Sequence, residues 1–153
     1  MCGVVGFRTQ TTDKPQLVLR QMCDALAHRG PDGDGYLIDG SFGMGMRRLS
    51  IIDLAGGDQP ISNENDDRHV VFNGEIYNYR ELRKGLVNRG HEFKTDSDTE
   101  TIIHLYEEHG SGFLELLNGM FALVIWDQQT KTLLLARDRM GIKPLYYYWD
   151  GQQ

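Results

Sequence analysis

Apolar positions along the chain change period several times, and each change marks an element. Gly3 to Phe7 is a run of small, β-branched and aromatic residues that reads as a short buried strand. Val18, Met22, Ala25 and Leu26 then recur at helical spacing, with Asp13 as cap, Pro15 in the first turn and Gly30 closing the segment. Residues 34–51 read as a hairpin turning at Asp39-Gly40. The stretch 53–67, rich in Gly, Asn and Asp, reads as a loop. "HVVFNGEIYN" is a strand running into a turn, and Tyr79, Leu82 and Leu86 support a helix that Gly90 closes. Ser97 and Glu100 form an S-x-x-E capping box ahead of Ile102, Leu105 and Tyr106. After "HGSG" a short helix leads to "MFALVIWD", the best candidate for a strand buried on both faces. "QQTK" then turns into "TLLLARD", its antiparallel partner. "PLYYYW" reads as one more strand, and Asp150-Gly151 as a hairpin turn whose return strand is missing.

Strands alternating with helices, and strand pairs joined by short turns, predict an α+β protein whose antiparallel sheets are covered by helices. The 153 residues suit one domain, residues 1–153, which the missing return strand would leave cut short at its C-terminus. Hydrophobic residues are 40% and charged ones 25%, an ordinary soluble balance. The net charge of -6 argues against nucleic acid or an anionic membrane as partner. The basic stretch "RELRKGLVNRG" reads as one solvated helix face. Neither a membrane span nor a signal peptide is expected. Two cysteines, Cys2 and Cys23, with no close Cys/His spacing, give neither a disulfide framework nor a zinc signature. The expectation is a reduced, cytoplasmic, metal-free domain.

The candidate chemistry begins at Cys2. Removal of Met1 would leave a thiol and a free α-amine on one residue, combining a nucleophile with a base that titrates near neutral pH. The competing reading is a small buried cysteine. "FNGEIYN" can aim the Asn73 amide and the Gly74 N–H at one point, as an oxyanion hole requires, although Asn-Gly is also a common tight turn. In "RRLSI", a strand would turn Arg47 and Arg48 to opposite faces, so only one can line a given pocket and grip a carboxylate. In "TDSDTE", Asp96 or Asp98 could hold an ammonium, or serve the helix N-terminus instead.

In this order, "MCGVVGF", "HRGPD", "RRLSI", "FNGEIYN", "SDTE", "GMFAL" and "RDRMGIKPLYY" resemble the glutaminase domain of glutamine-dependent asparagine synthetases, within the class II glutamine amidotransferases. The resemblance covers essentially the whole chain. It implies the four-layered αββα sandwich of N-terminal nucleophile hydrolases, incomplete at its C-terminus. It also implies that Cys2 attacks the glutamine side-chain amide to form a γ-glutamyl thioester and release ammonia. Asn73 and Gly74 would hold the oxyanion, Arg48 the α-carboxylate, and Asp98 with Glu75 nearby the α-ammonium. Ile51 would wall the pocket, and Met120 would lie where ammonia leaves. "HRGPD", "QP" and "KPLYY" carry over as markers with structural roles. No cofactor is implied in this domain. ATP and magnesium belong to a missing synthetase domain, the partner that would convert aspartate to asparagine. A homodimer stays open. The alternatives are a homologue with another ammonia acceptor, a non-catalytic binding module of the same fold, and a truncated chain that does not fold stably.

Overall fold

Period-two alternation of apolar side chains builds two antiparallel sheets that lie face to face. The computed structural model describes residues 1–9, 13–50 and 56–151. The chain runs β1 (Gly3–Arg8), α1 (Pro15–Ala25), β2 (Gly33–Asp39), β3 (Phe42–Arg48), β4 (Ile61–Ser62), β5 (Arg68–Ile76), α2 (Tyr79–Asn88) and α3 (Asp98–His109). A 3-10 helix (Gly110–Leu116), β6 (Gly119–Asp127) and β7 (Thr132–Arg137) complete the described elements. One sheet has the order β1-β3-β2 and the other β4-β5-β6-β7. α1 packs on the first sheet, while α3 packs on the second and carries α2. The result is the expected αββα stack.

The alternation sorts side chains between two cores. On β5 and β6, Val70, Phe72, Ile76, Phe121, Leu123 and Ile125 point toward the helices. The intervening Val71, Val124 and Trp126 point the other way, onto Phe42, Met44 and Met46 of β3. β6 is therefore buried on both faces, as its unbroken apolar run predicts. The Phe42 and Trp126 rings stack 4.2 Å apart between the sheets. Trp126 Nε1 donates to Asp39 at 2.9 Å, and Lys131 Nζ bonds the same carboxylate at 2.8 Å. The bonds from Lys131 and then Trp126 hold the Asp39 carboxyl below its ordinary range.

Five local expectations are corrected. Pro15 takes the first helical position, so the cap falls on Lys14 rather than Asp13, and the Lys14 side chain makes no capping bond. α1 also stops at Ala25, because residues 26–29 tighten into successive turns before Gly30. The capping box is half formed. Ser97 Oγ accepts the Thr99 N–H, but Glu100 turns to the preceding loop and accepts the N–H groups of Lys94 and Thr95, both at 2.7 Å. "PLYYYW" forms no strand, since nothing among the described residues pairs with it. Tyr146 and Tyr148 are each 91% exposed, so the run has no buried face. The loop 53–67 gains the two-residue β4, with residues 53–55 outside the described residues.

The stacked rings give the inter-sheet layer most of its aromatic area. Phe42→Ala is expected to cost about 3–5 kcal/mol, as for other fully buried phenylalanines. Denaturant titration checks this, and a loss below 1 kcal/mol, about that of a surface change, would show that the two sheets do not depend on the stack.

Candidate active site

The inter-sheet layer opens at one end, and strand parity decides what reaches the opening. In β3 the inward set Phe42, Met44 and Met46 continues to Arg48, which is 6% exposed and lines the pocket. Arg47 falls on the other face, where it bonds Gly30 O and Asp34. β1 lies antiparallel to β3, pairing Gly3 with Arg47, so Cys2 arrives beside the end of β3. Asn73, Gly74 and Glu75 come from β5, and Ser97, Asp98 and Thr99 from the start of α3. The pocket thus unites Cys2, Arg48, Asn73, Gly74, Glu75 and Asp98 from four places in the chain.

The edge of β5 supplies the finer geometry. β4 pairs only with His69 and Val70, leaving the next amides on that edge without a strand. Side chains take them: Gln59 Oε1 accepts Phe72 N–H at 2.6 Å, and Asp98 Oδ2 accepts Ile76 N–H at 2.9 Å. Backbone N–H groups two residues apart point to the same edge, so the Gly74 N–H lies between these two and points toward the pocket. A side chain at position 74 would drive a Cβ into the carbonyl oxygen of Met120 and to 2.8 Å from Phe121 Cα. Only glycine fits against β6 there.

Cys2 is half-buried, with its sulfur 3.4 Å from the Leu49 N–H that donates to it, and Arg29 Nε donates to its carbonyl at 3.2 Å. Cys23 is the contrasting cysteine, since burial pushes its thiol up to about 11 and leaves it an inert part of the α1 packing. Arg48 bonds Asp58 at 2.7 Å, a carboxylate that is itself 81% exposed. Asp98 is 4% exposed, and burial raises its pKa despite the amides of Ile76 and Thr99 that favour its charged form, with Glu75 adding to the rise.

Other expected site residues lie elsewhere. Asp96 is largely exposed and pairs with Arg83. Met120 sits on β6 opposite Glu75 and does not line the pocket. Ile51 lies outside the described residues. Two lining residues were passed over as candidates in the sequence. Gln59, in the "QP" pair, braces β5. Lys143 reaches the pocket from "IKPLYY", 8% exposed, with its Nζ 3.5 Å from the Met1 sulfur. Asp138 anchors that segment by accepting the N–H groups of Phe121, Ile142 and Lys143. Burial raises the Asp138 carboxyl, but those amides outweigh it and hold the pKa below the ordinary range. A lone lysine in a mostly apolar run was the available signal.

Comparison with known proteins places this pocket in context. A family model described as a glutamine amidotransferase domain matches residues 1–153. The chain is 48% identical over 151 residues to glutamine-hydrolyzing asparagine synthetase 2 of Bacillus subtilis (strain 168), covering 96% of this chain and 20% of that protein. It is 44% identical over 155 residues to glutamine-hydrolyzing asparagine synthetase of Sandersonia aurantiaca, covering 99% and 29%. The chain therefore spans less than a third of the length of these relatives. Among solved structures it resembles glutamine phosphoribosylpyrophosphate amidotransferase of B. subtilis, with a TM-score of 0.71 and 24% identity over 94% of this chain and 38% of that one. That likeness speaks for the fold.

Gly74→Ala is expected to push β5 away from β6 and to destabilise the protein by about 1–3 kcal/mol, as overpacking against backbone does. Urea denaturation measures the loss, and wild-type stability in this variant would contradict the close approach described.

Proposed function

Because the chain belongs to the glutamine amidotransferase domain family, we propose that its pocket hydrolyses the side-chain amide of glutamine to glutamate and ammonia. The convergence of Cys2, Arg48, the Asn73-Gly74 pair and Asp98 on one small pocket carries this reading. Arg48 exchanges its bond to the solvent-exposed Asp58 for the α-carboxylate of glutamine, and Asp98 with Glu75 takes the α-ammonium. Clamping both ends of the amino acid fixes where its amide carbon lies, which is most of what positioning can contribute.

Removal of Met1 is the first step of the proposal. The Met1 side chain lines the pocket beside Lys143, so its loss both clears space and frees the Cys2 α-amine. That amine takes the thiol proton as sulfur attacks the amide carbon. The oxyanion of the tetrahedral intermediate is held by the Asn73 amide and the Gly74 N–H. Collapse breaks the C–N bond, and the proton held by the α-amine leaves with ammonia. Water, with its proton drawn to the same amine, then adds to the γ-glutamyl thioester, giving glutamate and restoring the thiol. Each step balances with glutamine and water alone.

The named relatives are asparagine synthetases that hydrolyse glutamine. The ammonia is accordingly proposed to feed ATP-dependent, magnesium-dependent conversion of aspartate to asparagine in a synthetase unit. Nucleic acid and membrane have no part in this reading. No described helix is long and apolar enough to cross a membrane. A cytoplasmic setting and self-association of the parent protein are part of the proposal.

Two measurements test it. After aminopeptidase trimming of Met1, an electrophilic glutamine analogue is expected to add once, at Cys2, by intact mass. Cys2→Ala should lose both adduct and glutamine hydrolysis, and Asn73→Ala should lower kcat by about 10²–10³-fold, the usual cost of one oxyanion donor. Hydrolysis that survives Cys2→Ala would overturn the assignment.

The second measurement is the pH dependence of KM. Only ionised Asp98 can pair with the ammonium, and burial makes it protonate at a higher pH than an ordinary carboxyl. Glutamine affinity is therefore expected to fall as pH drops through that raised value. Asp98→Asn keeps an acceptor for Ile76 N–H but should raise KM by about 10–100-fold, as loss of a charged hydrogen bond does, and should abolish this acid limb. An unchanged limb in the variant would assign the ammonium to another group.

A further inference from the structure

A second cluster of ionisable groups lies on the helix side of the β4-β5-β6-β7 sheet. Glu64 comes from the turn between β4 and β5, His91 from the loop between α2 and α3, and His104 and Glu107 from one face of α3. One ligand atom from each residue lies within 4.8 Å of the other three, and no other such group is found among the described residues. The cluster is enclosed. His104 is fully buried, while Glu107 and His91 retain 13% and 14% side-chain exposure and Glu64 27%. Phe93 covers His104 edge-on.

The orientation of the two rings is the telling feature. His91 Nδ1 lies 3.0 Å from Glu64 and 3.8 Å from Glu107. His104 Nδ1 lies 2.9 Å from Glu107 and 3.4 Å from Glu64. Both Nδ1 atoms therefore face the same two carboxylates. A lone pair aimed at a carboxylate is repelled, so each position calls for a proton or a cation. The outer nitrogens make the same demand from the other side. His91 Nε2 is 3.0 Å from Glu108, and His104 Nε2 is 3.7 Å from Glu100. At that distance the buried His104 Nε2 has no hydrogen-bond partner.

A neutral imidazole can satisfy only one of its two faces. Protonating both rings would satisfy all four, but it puts two like charges on rings whose centroids are 4.8 Å apart. Nearby cations are partly committed already: Arg68 also pairs with Asp67 and Asp127, Arg89 sits at the outer Glu108, and Lys94 bonds Asn63 O. One divalent ion between the Nδ1 atoms resolves the conflict. It meets both lone pairs and both carboxylates at once, and each outer N–H then points at a carboxylate, the arrangement that orients histidine ligands in metal sites. The outer oxygen of Glu107 is held as well, since Oε1 accepts from Asn63 at 2.8 Å and lies 3.5 Å from Arg68. Glu64 Oε1, the oxygen facing His91, also accepts the Glu92 N–H at 3.1 Å.

We propose that Glu64, His91, His104 and Glu107 form a structural zinc site that fastens the β4-β5 turn and the α2-α3 loop to α3. Two imidazoles and two carboxylates make a four-coordinate N/O set that suits zinc, and four protein ligands leave no open position for catalysis. Tetrahedral ligation at ~2 Å needs donor atoms ~3.3 Å apart, so the four donors close by small side-chain rotations. The proposal is independent of the reading of the glutamine pocket.

The test uses the full chain, stripped with a chelator and titrated with zinc by calorimetry, then with cobalt as a spectroscopic substitute. The expected result is one zinc per chain, a higher Tm, and visible cobalt absorption of a four-coordinate N/O site. His91→Asn should weaken zinc by at least about 100-fold. The solvent-facing variant Glu108→Gln should weaken it by about 10-fold without disturbing the fold, as loss of an outer hydrogen bond to a ligand does. Absence of binding in the folded wild-type chain would overturn the proposal. So would affinity unchanged in both variants, or a thiolate-to-cobalt charge-transfer band, which would move the metal to Cys2 or Cys23.

Discussion

The face-to-face contact of the two sheets governs the geometry of everything else. Phe42, Met44 and Met46 lie against Val71, Val124 and Trp126, and this burial fixes which side of each strand faces inward. A one-residue slip of β3 would bury Arg47 and expose Arg48. A slip of β5 would turn Asn73 toward the helices. The pocket therefore depends on strand register, and the register depends on an apolar layer against which Cys2 itself packs.

A second constraint comes from the shortness of β4. It covers two residues of β5 and then ends, leaving edge amides that must still be satisfied. Gln59 and Asp98 meet two of them through side chains. The same economy brings Asp98 to the pocket as a buried carboxylate and lets the Gly74 N–H point at the space between. Structural and functional demands meet on one strand edge. Asp98 both completes the sheet and lines the pocket at the position proposed for the ammonium, which is why its burial bears on the proposed pH behaviour.

Much of this was legible in the chain. β6 announced itself by an unbroken apolar run, the β2-β3 hairpin by Asp39-Gly40, and α2 by apolar spacing and Gly90. Cys2 behind Met1 and the Asn73-Gly74 pair stood out as residue types suited to nucleophilic attack and oxyanion binding. The misses share a cause. Glu100 was expected to close a box within its own helix, and instead bonds a loop that folds back onto it. "PLYYYW" has strand composition, but a strand exists only where a neighbour accepts its hydrogen bonds.

Sequence pattern by itself determined most of the elements, the layer types and the main reactive side chains, because these follow from local backbone preference and from which positions are apolar. Spacing alone left Arg47 and Arg48, and Asp96 and Asp98, undecided, and the family resemblance named Arg48 and Asp98. The tertiary structure puts those two at the pocket, admits Lys143 and Gln59, and leaves Met120 outside it. The His/Glu cluster belongs with these, since its ligands are scattered along the chain and carry no close Cys/His spacing. Proximity between distant residues is set by register and by the packing of layers, and neither quantity is written in any short stretch of the chain.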